Sequence, residues 1–136
     1  MTSASVKEPI RRACVAALAC LGASAVFAEG AVKTLECSAH SVCDAAGQCA
    51  EAAGDVTFRV EPVQVVDGGA GSYLIHYDGV RADMQADSEF GPYFWMHGSE
   101  RHSLIVSSES QWLWHALQAE PAPVATIRFL ECRLTL

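Results

Sequence analysis

The chain has little of what marks a membrane-spanning or catalytic protein. The one apolar stretch that could serve as a membrane segment, Ala13 to Gly22, falls short of the roughly 20 residues that a spanning helix needs. There is no Gly-x-Ser-x-Gly elbow to present a nucleophilic serine and no EF-hand spacing of acidic residues. Cysteine spacings of five residues, with no His-x-x-x-His following, do not fit a zinc site. After residue 29 no low-complexity tract, convincing repeat or interdomain linker interrupts the chain. Positive charge is scarce as well, with 9 Lys and Arg against 16 Asp and Glu and a formal charge of −7. Such a balance repels phosphate backbones and anionic lipid, so nucleic acid and polybasic-type membrane binding are disfavoured and a cationic partner is attracted.

What is present begins with an export signal. Lys7, Arg11 and Arg12 form a positive n-region ahead of the apolar stretch, and Val26-Phe27-Ala28 supplies small residues at a cleavage site before Glu29. Ala17-Leu18-Ala19-Cys20 loosely resembles a lipoprotein box, with alanine where a larger aliphatic residue is usual. The Arg11-Arg12 pair lacks the surroundings of a twin-arginine signal. The reading is therefore a signal peptide over 1–28 and a single domain over 29–136, about 108 residues, in the periplasm or outside the cell. Removing the signal takes three basic residues and Glu8, which leaves six basic against fifteen acidic residues.

Cys14 and Cys20 leave with the signal, while Cys37, Cys43, Cys49 and Cys132 remain. Four cysteines in a short exported domain indicate two disulfides, and three pairings are open. Cys37 and Cys132 each lie in a strand-like segment near one end of the domain, which favours their pairing and leaves Cys43 with Cys49.

Period-two alternation dominates the rest, as half-buried antiparallel strands require. Val56, Phe58 and Val60 alternate with polar neighbours, as do Tyr73, Ile75 and Tyr77, then Val80, Ala82, Met84 and Ala86. Asp78-Gly79 between the last two segments is a tight hairpin turn. Further segments run through Phe90 to His97, Leu104 and Val106, Trp112 to Leu117, and Thr126 to Leu134, with Pro121 and Pro123 breaking the pattern between the last two. With a first strand near Lys33 to Ser38, these predict an all-β domain: a small antiparallel meander of about eight strands, closed as a barrel or split into a sandwich, stapled by two disulfides. A helical turn is expected only in the alanine-rich stretch from Cys43 to Ala53.

Residues able to do chemistry are present without a pattern that organises them. Ser107, Ser108 and Ser110 lie near His102 and His115 but read as a serine-rich turn. Asp78, Asp83, Asp87 and Glu89 read as the solvated side of a hairpin. His40, His76, His97, His102 and His115, with Met84 and Met96, include soft copper ligands, yet Met84 falls on an apolar strand face. No catalytic residue, metal or cofactor is expected. Candidate binding residues are instead the aromatics Tyr93, Phe94, Trp95, Trp112 and Trp114. Because neighbours on a strand point to opposite faces, Phe94 and Trp95 cannot both enter one core.

Cys37 near the domain's start, Cys132 in its last strand, the intervening meander and the Tyr73-x-Ile75-x-Tyr77 hairpin together resemble the small exported inhibitors of C-type lysozyme. That resemblance implies an eight-stranded barrel tied by a first-to-last-strand disulfide, and a cationic protein as target. The inhibitors' Ser-Gly-x-x-Tyr loop has no counterpart here. The Cys-x5-Cys-x5-Cys opening and Glu131-Cys132 are also similar to short uncharacterised exported bacterial proteins. The sequence therefore points to a non-catalytic binding domain with a protein partner, against two alternatives: a carrier of small apolar ligands, or a structural subunit of an envelope complex.

Overall fold

Each alternating segment turns back on its neighbour, and apart from one short strand that pairs only with the first, the strands pair in chain order. A computed structural model describes residues 30–136. The expected signal peptide, its cut before Glu29, Cys14 and Cys20 lie outside the described residues. The strands are β1 (Lys33–Asp44), β2 (Cys49–Glu51), β3 (Asp55–Val65), β4 (Gly71–Tyr77), β5 (Val80–Ala86), β6 (Tyr93–His97), β7 (Glu100–Val106), β8 (Gln111–Gln118) and β9 (Val124–Thr135). All pairings are antiparallel, and β1 also pairs with β9. That last pairing closes β1 and β3 to β9 into an eight-stranded barrel, so the sandwich is excluded. The short β2 is an extra strand on the free end of β1.

Turn chemistry sets the register. Asp78 and Gly79 both take positive φ, 44° and 78°, the conformation whose twist suits a two-residue hairpin, and Tyr77 pairs directly with Val80. In the alanine-rich stretch the expected helical turn gives way to a hairpin. Asp44 Oδ1 accepts the backbone N–H groups of Ala46 and Gln48, both at 2.9 Å, and Gly47 turns the chain at φ 80°. Cys43 and Cys49 are joined directly across it. A local turn with a covalent clasp outweighs the helix propensity of a few alanines.

Both disulfides follow the favoured pairing. Cys37–Cys132 joins the first and last barrel strands across 95 residues of sequence, and Cys43–Cys49 spans 6. They mark an oxidising environment. A β-bulge between Ala39 and Ser41 leaves His40 without a register partner on β9 and reverses the alternation of β1. Cys37 consequently faces the barrel interior, whereas Cys43 lies on the outer face opposite Ile127.

The interior is filled by side chains. Phe58, Ile75, Met84, Leu104 and Leu130 are 0% exposed and occupy the axis. The aromatic rings of Tyr77, Trp95 and Trp114 pack around Phe58 at 5.5, 6.5 and 5.2 Å between centroids. An eight-stranded barrel is narrow enough for its own side chains to fill.

Candidate interaction surface

Strand β8 is apolar on both faces, which a half-exposed strand has no need to be. Trp112, Trp114 and Ala116 are buried inside, while Leu113, His115 and Leu117 point outward. The same holds for β9, where Leu130 is buried and Ile127 and Phe129 face out, and for β6, where Phe94 and Met96 face out. Cross-strand pairing puts these residues in rows on one surface. One row is Phe94, Ser103, His115 and Ile127; another is Ile105, Leu113 and Phe129; a third is Met96, Arg101, Leu117 and Ala125. Met96 at 51%, Phe94 at 45%, and Ile105 and Phe129 at 38% are strongly exposed for apolar side chains. Contiguous exposed apolar patches are the kind of surface that interaction sites use.

Acidic residues surround it. Asp83 lies on the outer face of β5 beside Gln85, which pairs with Phe94. Glu109 and Glu120 sit in the connections at opposite ends of β8, and Glu131 follows Phe129 on the same face of β9. All four are exposed, and Arg101 is the strong base placed among the apolar rows. An apolar centre with a carboxylate rim suits an apolar partner surface bordered by basic groups.

Of the aromatics singled out in the sequence, Phe94 faces solvent. Tyr93, Trp95, Trp112 and Trp114 are 3–8% exposed and belong to the barrel interior. The buried polar tips of three of them find partners: Trp95 Nε1 donates to Tyr77 Oη at 3.1 Å, Trp114 Nε1 donates to His102 Nδ1 at 3.2 Å, and Tyr93 Oη donates to the Glu89 carbonyl. Burial, with Tyr73 and Glu89 nearby, pushes the Tyr93 phenol up to about 12, so it stays a neutral donor. The role of Tyr93, Trp95, Trp112 and Trp114 is to shape the wall that carries Phe94, Leu113 and Leu117 on its other side.

His102 is a buried imidazole inside this wall. Its ring stacks on Trp95 at 5.1 Å, and an indole N–H can only donate, so Nδ1 accepts and the proton of the neutral ring sits on Nε2. Glu100 Oε2 is 3.3 Å from Nε2 but outside hydrogen-bond alignment. Burial lowers the pKa of His102; Glu100 opposes that shift, while His97 and Arg128 add to it. Arg128, which the sequence reading passed over, places its guanidinium 4.7 Å above the Trp114 ring at the same end of the barrel. An arginine on a strand otherwise rich in apolar residues, paired opposite a tryptophan, is the signal that could have revealed it.

The other chemistry-bearing residues are dispersed. Ser107 and Ser108 serve the β7–β8 turn through bonds to Gln111, Met84 lies in the core, and Met96 is on the outer face. Among the described residues, no three His, Cys, Asp or Glu side chains are gathered as a metal site. A cleft of about 920 Å³ runs along the outside of the β1–β9 seam, lined by Glu36, Asp55, Glu109, Glu131, Arg133 and Leu134 among others. It contains none of the five aromatics. Within it Arg133 pairs with Glu36, and Ser38 Oγ donates to Asp55 at 2.7 Å.

Compared with family models, curated proteins and solved structures, the chain finds no match in any of the three.

Proposed function

We propose that this protein is a non-catalytic, periplasmic or secreted binding domain whose outer β6–β9 face docks on a cationic protein. The observation that carries the reading is the exposed apolar surface of Phe94, Met96, Ile105 and Phe129, set in a domain with an excess of acidic groups. The two disulfides and the signal-like residues 1–28 support export. A cationic enzyme of the C-type lysozyme class is the first target to test, given the resemblance of the strand meander and the first-to-last-strand disulfide to inhibitors of that enzyme. The filled barrel axis favours this reading over a carrier of small apolar ligands, which needs a hollow interior.

The test measures lysis of bacterial cell walls by a C-type lysozyme with rising amounts of the protein. The expected result is slower lysis, relieved by Phe94→Asp and Phe129→Asp, because placing a carboxylate in an interface centre costs about 2 kcal/mol or more. Unchanged lysis at large molar excess removes lysozyme as target. Equal inhibition by the two variants removes the β6–β9 face as the site.

A further inference from the structure

Strand β9 outruns its neighbour. Strand β8 begins at Gln111, opposite Glu131, while β9 continues to Thr135 paired only with β1. The Cys132 N–H donates to the Ser110 carbonyl at 2.7 Å, so at residue 132 the backbone polar groups point toward the β8 side. Backbone direction alternates along a strand, so the N–H and C=O of Leu134 point the same way. Among the described residues no strand meets them. Leu134 is 49% exposed, and this edge borders the 920 Å³ cleft. An unpaired strand edge beside a cleft is a template for one more strand.

Charge selects what fits. Arg133, the single strong base lining the cleft, is paired with Glu36, which leaves Asp55, Glu109 and Glu131 as carboxylates facing no strong base there. The cleft also continues the apolar face, since Phe129, Glu131 and Arg133 alternate along the same side of β9. We propose that this edge takes an extended, lysine- or arginine-bearing segment of the partner as an added strand, bonded to the Leu134 backbone with its basic side chains among the cleft carboxylates. The inference rests on the reading of the protein as a protein-binding domain and names how part of the partner is recognised.

The probe is a short synthetic peptide of alternating lysine and threonine, with a glutamate–threonine peptide as control, added to the purified protein and followed by amide chemical shifts and calorimetry. The lysine peptide is expected to shift Cys132 to Thr135 and Glu109 to Ser110, to weaken with added salt, and to bind better than the control. Leu134→Pro removes one outward N–H without touching the β1 ladder and should weaken binding at least about fivefold, whereas Leu134→Ala should change it less than about twofold. Thermal unfolding of both variants checks that the barrel is intact. Indifference to Leu134→Pro in a folded variant, equal binding of the acidic peptide, or no shift at millimolar peptide would each overturn the proposal. The peptide does not need Phe94, so Phe94→Asp should spare its binding while relieving the inhibition of lysozyme; the two readings therefore fail separately.

Discussion

Replacing Phe58 by alanine tests whether the barrel is solid, the property that separates a docking domain from a carrier. Its side chain is 0% exposed and meets three aromatic rings, Trp114 at 5.2, Tyr77 at 5.5 and Trp95 at 6.5 Å. Truncating a buried phenylalanine to alanine costs about 3–5 kcal/mol, with the larger values where the surroundings cannot collapse. A closed sheet held by a cross-strand disulfide collapses poorly, so Phe58→Ala should fall near 4–5 kcal/mol. Phe58→Leu keeps most of the apolar volume but loses three ring pairs, each worth about 0.5–1.5 kcal/mol, and should cost roughly 1.5–4.5 kcal/mol. Phe94→Ala, on the exposed outer face, should cost under about 1 kcal/mol. Urea unfolding with the disulfides intact, followed by tryptophan fluorescence, reads all three. At a slope of about 2 kcal/mol per molar, Phe58→Ala should move the midpoint by about 2 M. If Phe58→Ala costs no more than Phe94→Ala, the axis is not packed and the carrier reading regains its ground.

The cost of losing each disulfide should rise with the logarithm of the loop it closes. In the chain-entropy account the 95-residue separation of Cys37–Cys132 corresponds to about 4.7 kcal/mol and the 6-residue separation of Cys43–Cys49 to about 2.2 kcal/mol. Paired alanine substitutions, compared by urea or thermal midpoints, should rank in that order; the reverse order would refute the closure role of Cys37–Cys132. His102 should make stability depend on pH. Its pKa is lowered by burial, so the unfolded chain binds the proton more readily. Its contribution is therefore full above the unfolded value near 6.5 and declines as pH falls toward the folded value. Protonation also puts a second N–H against Trp114 Nε1, where the neutral ring accepts. His102→Gln keeps an acceptor for Trp114 and should flatten the loss of stability between pH 7 and 5; an identical pH profile would refute the assignment.

The barrel was legible because its determinants are local. Alternation in Val56 to Val60, Tyr73 to Tyr77 and Val80 to Ala86 reads the pleat directly, and Asp78-Gly79 admits a turn that few other pairs adopt. The disulfide pairing could be ranked because strands near the two ends of a closed meander must meet. The alanine-rich stretch at Cys43 suggests a helical turn by composition, but the Asp44 side chain and Gly47 make it a hairpin turn instead.

The candidate site was only partly legible. The aromatics near Phe94 were visible as a group, and alternation required that either Phe94 or Trp95 leave the core, but which one depends on the closed direction of curvature. That Leu113, Leu117, Ile127 and Phe129 join Phe94 on one outer surface depends on register across four strands, which no local pattern encodes. The open edge at Leu134 arises from a length mismatch between β8 and β9. The sequence by itself therefore determined the strand meander, the tight Asp78-Gly79 turn and the acidic balance, since each is a property of neighbouring residues or of composition. Only the tertiary structure decided the filled axis, the apolar outer face and the unpaired edge, because each is made by residues far apart in the chain that closure brings together.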